Sequence, residues 1–228
     1  MLPPAATIRV LLCDYHIVVR EGLARLLENA DGIDVVAVAS DGVEGVEQAR
    51  ATRPDVILMD LSMPNLDGVG ATRAIIAELP ETYIVVLTSF ADRERVLEAI
   101  DAGAAGYVLK DSDGAEVVRA IRAAAAGDAP LDPRAARAVL TRRSRETPST
   151  SLTPREREVL AQVGAGLSNK VIAIRLGITE ATVKVHLKTL LRKIDVNNRT
   201  QAAIWAMNNG FTANHAPIPT RGFQAVYA

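Results

Sequence analysis

Four polar residues end four apolar runs in the first half of the chain: Asp14 after "VLLC", Asp60 after "VILM", Thr88 after "VVL" and Lys110 after "YVL". Apolar runs of this length read as buried strands, and the ends of such strands are where α/β proteins place their ligands. Two carboxylates, a hydroxyl and an ammonium on one sheet edge suit a hard divalent cation together with a phosphoryl group. The carboxylates of Asp14 and Asp60 would hold Mg²⁺, the hydroxyl of Thr88 would donate to a phosphate oxygen, and Lys110 would neutralise charge. A single polar residue can simply mark the point where a strand reaches water. Four of them at the ends of separate strands argue for a site.

The elements that must position these groups alternate regularly. Strands are predicted over 7–13, 33–39, 55–60, 83–88 and 105–110, with helical spacing of apolar residues over 18–29, 42–51, 69–79, 92–102 and 115–126. Five strand–helix units with continuous apolar strands predict a doubly wound α/β domain: a five-stranded parallel sheet covered on both faces. From Gly127 the alternation stops. Residues 127–150 hold three prolines and five arginines and read as a linker with one or two helical turns in "PRAARAVL". Only helical patterns follow. "LTPREREVL" opens with Thr153 as N-cap, Pro154 at the first helical position and Glu156 at the capping-box position. Residues 211–228 show no period and read as a loose tail in which Phe211, Phe223 and Tyr227 are candidates for docking.

The segment "DVILMDLSMPNLDG", with "VVLTSF" and "GAAGYVLKD", resembles bacterial response-regulator receiver domains over residues 7–126. The resemblance implies a flavodoxin-like receiver in which Asp60 accepts a phosphoryl group from a sensor histidine kinase. It makes Thr88 and Tyr107 a switch pair and Lys110 the phosphate-contacting lysine, and it gives Met63–Pro64 the loop after the acceptor. The family carries two adjacent acidic residues after the first strand, and its pattern makes the second a direct Mg²⁺ ligand. Here that second residue is Tyr15. Tyrosine is neutral near pH 7 and larger than aspartate. Asp14 and Asp60 would then form a weakened Mg²⁺ site, with slow or absent phosphotransfer. The Tyr15 side chain is expected to fill the space of the missing ligand and to hydrogen-bond a carboxylate. The alternative is that Asp14 moves in and phosphorylation survives.

Charge separates the two halves. Residues 1–126 hold 11 Lys+Arg against 20 Asp+Glu, and residues 151–210 hold 9 against 4. The basic half is the candidate for nucleic acid. On "TEATVKVHLKTLLRKI", Val183, Leu187, Leu190 and Ile194 share one helix face. Lys184, Lys188 and Arg192 share the opposite face, with Val185 among them. That face suits a major groove, where lysines reach phosphates or guanine edges and valine meets a thymine methyl. A basic stripe is more often only solvated, but "NKVIAIRLGITEATV" reads as helix, Gly177 turn, helix, the order of a helix-turn-helix.

Residues 151–210 as a whole resemble the LuxR-type DNA-binding domain of NarL/FixJ regulators. The resemblance implies an all-α four-helix domain with 180–194 as recognition helix. Lys184, Val185 and Lys188 would read bases, and Thr182, Arg192, Asn169 and Lys170 would lie near phosphates. The last helix, with Trp205, would serve packing or dimerisation. His186 lies beside the lysine stripe and suggests no metal role.

The composition, 49% hydrophobic and 23% charged, is that of an ordinary globular protein, and no apolar run approaches a membrane span. The single cysteine, Cys13, and the absence of a signal-peptide pattern at the start point to the cytoplasm. The chain is thus expected to be a non-enzymatic transcription regulator, a homodimer on double-stranded promoter DNA. The alternative mode of control is a small-molecule ligand or protein partner acting on the receiver without phosphorylation. A flavin protein or phosphatase on the same fold is disfavoured, because no glycine-rich phosphate loop follows any strand.

Overall fold

A computed structural model describes residues 7–88, 93–128 and 152–211, apart from the side chains of 93 and 94. The expected helical turns in "PRAARAVL" and the tail beyond 211 lie outside the described residues.

The first domain runs β1 (Ile8–Cys13), α1 (Ile17–Glu28), β2 (Ile33–Ala39), α2 (Gly42–Thr52), β3 (Val56–Asp60), α3 (Gly68–Glu78), β4 (Tyr83–Thr88), α4 (Arg93–Ala102), β5 (Gly106–Leu109) and α5 (Gly114–Ala125). All pairings are parallel, in the order β2-β1-β3-β4-β5. Strand order reverses between β1 and β3, so the ends of those two strands border a switch point where ligands bind. The sheet is covered on both faces, as the continuous apolar strands require. Leu27 of α1 and Val117 and Ile121 of α5 pack with Val10, Leu58 and Leu87 on one face. Val46 of α2 and Ile75 of α3 pack with Leu11, Ile57 and Ile84 on the other.

Local chemistry sets the helix starts. Asp41, Asp67 and Asp113 cap α2, α3 and α5, each accepting from the backbone N–H three residues on. Gly68 lets α3 begin hard against the strand that carries Asp60. A Cβ there would lie 2.1 Å from the Asp60 carbonyl oxygen, closer than any side chain tolerates.

The second domain holds α6 (Pro154–Gly164), α7 (Asn169–Leu176), α8 (Glu180–Lys193) and α9 (Arg199–Asn208). The capping box at Thr153 and Glu156 forms as the sequence indicated. Val159, Leu160, Ile172, Val183, Leu187, Leu190, Ile194 and Ala202 build its core, and Trp205 packs against its edge. Phe211 docks on Trp205, with ring centroids 5.6 Å apart, and donates its N–H to the Ala206 carbonyl at 2.9 Å.

Candidate functional site

The ends of β1 and β3 bring the two aspartates together in the interior, where Asp14 is 1% and Asp60 2% exposed. The Lys110 ammonium bridges them, 2.9 Å from Asp14 Oδ2 and 2.8 Å from Asp60 Oδ2. Among the described residues those two buried oxygens have no neutral hydrogen-bond donor. Their other oxygens accept backbone N–H groups, Asp14 Oδ1 from His16 at 2.8 Å and Asp60 Oδ1 from Ser62 at 3.1 Å. Partial burial of Lys110 works against its charge. Hydrogen bonds and attraction from Asp60 and Asp14 outweigh that and hold the ammonium above the usual lysine range. Lys110 is itself placed by its N–H, which donates to the Thr88 carbonyl at 2.8 Å. Thr88 is buried at the end of β4. Tyr107, in the middle of β5, packs on the cluster of Leu61, Val86, Val96 and Ile100.

Tyr15 departs from expectation. It neither fills the pocket nor bonds a carboxylate. Its side chain is 56% exposed and meets its neighbour His16 edge-on, with ring centroids 5.7 Å apart. The backbone N–H of His16 is tied to Asp14, and the imidazole, not the Tyr15 ring, is the side chain that approaches the pocket. His16 Nδ1 lies 3.4 Å from Asp14 Oδ1 and 3.9 Å from Asp60 Oδ2. The reading of the sequence assigned His16 no part. The only available signal was its position two residues after Asp14.

Two arginines were also missed. Arg20 donates to the Asp14 carbonyl at 2.6 Å. Arg95 clasps the loop after Asp60, donating to the Leu61 carbonyl, the Ser62 hydroxyl and Asp67.

Mg²⁺ takes a near-octahedral shell of oxygens and favours carboxylates. Asp14 and Asp60 supply two carboxylates. The third position of the acidic pattern is a phenol facing solvent, and the third group that does face the pocket is an imidazole. The donor set does not fit Mg²⁺ well.

In the second domain the two faces of α8 separate as the periodicity requires. Val183, Leu187, Leu190 and Ile194 are buried, whereas Lys184, Lys188 and Arg192 are exposed beside Val185, which is 65% exposed. Gly177, at φ 64°, closes α7 and makes the turn into α8. Thr182 sits in the first turn of α8, its N–H and hydroxyl both held by the Thr179 cap. Lys170 is exposed and His186 partly so. Asn169 corrects its assignment to the phosphate face. It is 2% exposed, and its side-chain oxygen accepts from the buried Arg199 guanidinium at 2.7 Å. Burial there depresses the Arg199 pKa, and Asp128, 4.0 Å away, partly offsets that effect.

Two family profiles match the chain: "Response regulator receiver domain" over residues 10–122 and "Bacterial regulatory proteins, luxR family" over residues 150–206. The Transcriptional regulatory protein LiaR of Bacillus subtilis (strain 168) is 49% identical over 206 residues, covering 89% of this chain and 98% of that protein. The nitrate/nitrite response regulator protein NarL of Escherichia coli (strain K12) is 39% identical over 201 residues, covering 86% and 93%. Among solved structures, the response regulator ChrA of a heme-sensing two-component system is 39% identical, with TM-score 0.51, covering 91% of this chain and 100% of that one. The paired carboxylates under a lysine and the exposed basic face of α8 lie within the two matched segments. The chain belongs to the response regulators of two-component systems that join a receiver to a LuxR-type DNA-binding domain, transcription regulators and not enzymes.

Proposed function

We propose that this regulator binds promoter DNA as a homodimer through the exposed face of α8, and that its receiver accepts phosphate at Asp60 poorly. The division into a receiver at 7–126, a linker at 127–150, a DNA-binding domain at 151–210 and a tail at 211–228 is part of this reading, as is work in the cytoplasm. The observation that carries the DNA half is Val185 standing exposed between Lys184 and Lys188. A face that is only solvated does not call for an exposed branched aliphatic, whereas a face meeting thymine methyls does. Lys184, Val185 and Lys188 would read bases, while Lys170, Thr182 and Arg192 would contact phosphates. One recognition helix covers few base pairs, so two half-sites about one helical turn apart are expected. Among the described residues no helix is long and apolar enough to cross a membrane.

For the receiver half, the carrying observation is that Tyr15 faces solvent and adds no carboxylate to the pocket. Phosphoryl transfer from a sensor histidine kinase needs charge neutralised at the acceptor, and among the described residues Lys110 is the one ammonium that stands against both aspartates. Thr88 and Tyr107 would still respond to any phosphoryl group that arrived. A second reading, control by a small ligand or protein partner, draws on a cavity of about 180 Å³ beside Lys110, walled by Leu23 and Leu26 of α1 and Val117 of α5.

Mobility shifts on promoter DNA test the first half. Lys184→Ala or Lys188→Ala should cost about 1–3 kcal/mol at a specific site, and binding should weaken steeply with salt. Binding without salt dependence, or unchanged by either substitution, would refute it. A small phosphodonor with Mg²⁺, followed by mass measurement, tests the second. Wild type should gain little phosphoryl mass, Tyr15→Asp should gain clearly more, and Asp60→Asn should gain none. Equal, rapid labelling of wild type and Tyr15→Asp would show that Tyr15 is a tolerated replacement.

A further inference from the structure

We propose that Asp14, His16 and Asp60 form a site for a first-row transition-metal dication such as Zn²⁺ or Co²⁺, with His16 Nδ1 as nitrogen ligand, in place of a Mg²⁺ site. One ligand atom from each residue already lies within 4.8 Å of the other two. Metal–ligand bonds of about 2.0–2.2 Å put neighbouring atoms of a tetrahedral shell about 3.3–3.5 Å apart. The His16 Nδ1 separations of 3.4 Å and 3.9 Å therefore need only a few tenths of an ångström of closure.

The charge asks for a cation as well. Among the described residues the two buried carboxylates face a single ammonium, which leaves one negative charge of the three groups unbalanced. Such a deficit is costly unless a counter-ion meets it. Lys110 occupies the space between Asp14 Oδ2 and Asp60 Oδ2, so a metal held by Asp14 Oδ1 and Asp60 Oδ2 displaces its ammonium towards the pocket mouth. A dication then neutralises both carboxylates, and water completes the shell.

The nitrogen ligand decides which dication. Imidazole suits zinc, nickel, iron and copper, while Mg²⁺ prefers oxygen and holds its waters. The loop presents that nitrogen by construction. The His16 N–H is held by Asp14, the Asp14 carbonyl is held by Arg20, and the Tyr15 ring stands edge-on to the imidazole. Losing an oxygen at position 15 and turning a nitrogen inward at position 16 change the preference in the same direction.

Binding is read directly, so the test does not depend on whether Asp60 accepts phosphate. The metal-free full chain is dialysed against Zn²⁺, Co²⁺ or Mg²⁺ separately, and the visible absorption of the Co²⁺ form is recorded. One equivalent of Zn²⁺ or Co²⁺ should bind at least tenfold more tightly than Mg²⁺, with ligand-field bands for Co²⁺. His16→Ala should weaken Co²⁺ binding tenfold or more and remove the bands. The His16 side chain is 60% exposed, so this variant should keep its fold, which circular dichroism verifies. Asp60→Asn should also weaken binding, and His16→Asp should shift preference back towards Mg²⁺. Co²⁺ affinity and spectrum unchanged in His16→Ala, Mg²⁺ competing on equal terms, or no metal bound at all would each overturn the proposal.

Discussion

Lys110 sits where two buried carboxylates would otherwise repel each other, and that arrangement makes it a structural residue whatever signal the receiver reads. Its ammonium lies within 2.9 Å of both aspartates, whose side chains are almost wholly enclosed. Removing one partner of a buried ion pair leaves an uncompensated charge, which costs about 3–5 kcal/mol. Lys110→Met should therefore lower receiver stability by an amount of that order, measured by urea unfolding followed by circular dichroism. Asp14→Asn in the same background should recover part of the loss, because it removes one of the two stranded charges. A Lys110→Met receiver as stable as wild type would mean that the aspartates find other counter-ions. Cys13, next to Asp14, is the opposite case. Burial pushes its thiol pKa far up, with smaller contributions from Glu44 and Asp14, and keeps it an inert core side chain.

At the scale of elements, the helical domain is fastened by one pair that joins the start of α6 to the end of α8. Glu156 accepts from the Thr153 N–H at 2.8 Å within the capping box and pairs with Lys193 at 2.8 Å. The Lys193 hydrogen bond and the Thr153 cap hold its carboxyl below the usual range, against the opposing effect of burial. A depressed folded-state pKa gives stability that is present above the unfolded value, about 4.3, and is lost as pH falls through the folded value. Glu156→Gln should therefore unfold at lower temperature than wild type at neutral pH, and the two should converge in acid. Fluorescence of Trp205, the chain's single tryptophan, reads this domain. A gap that widened in acid would contradict the assignment. The elements themselves were largely legible. Continuous apolar runs and period-3.6 patterns gave all five strand–helix units, with α1, α3 and α5 each starting one residue earlier than expected, at Ile17, Gly68 and Gly114, and α4 one later, at Arg93. The opposed faces of α8 were legible for the same reason, since periodicity encodes which side is buried. What could not be read depends on distant partners. Asn169 looked like a surface polar residue at a helix start, and only Arg199, thirty residues on, turns it inward. His16 gave no hint of its orientation, because its approach to Asp14 and Asp60 is a feature of the folded loop.

At the scale of the whole molecule, the two domains touch through the start of α9 and the connection between α4 and β5. Asn198 donates to the Gly103 and Ala104 carbonyls at 2.8 and 3.2 Å, and Gln201 donates to the Ile100 carbonyl at 2.8 Å. The Thr200 hydroxyl donates to the Ala105 carbonyl. Gly103 holds φ at 119°, a conformation that side chains resist, and this shapes the turn that offers its carbonyl to Asn198. Beside Arg199, the Asn169 N–H donates to Asp128, just past α5. Ile204 supplies the apolar part of the contact. It packs against the receiver cluster that also holds Tyr107 and is absent from the core of its own domain. Anything that moves Tyr107 or α4 therefore changes what α9 rests on, while Lys184, Lys188 and Arg192 stay exposed throughout. Ile204→Glu places a charge in that apolar seat without opening either domain's own core. The variant should keep wild-type secondary structure but show a larger radius of gyration by small-angle scattering, because small polar interfaces between domains yield readily. Its affinity for a single half-site should stay within about twofold, since the reading face is already free, and one kcal/mol would exceed that change. An unchanged radius of gyration would mean that the carbonyl contacts of Asn198, Thr200 and Gln201 hold the domains together unaided. A large rise in half-site affinity would mean that the receiver screens the reading face of α8 after all.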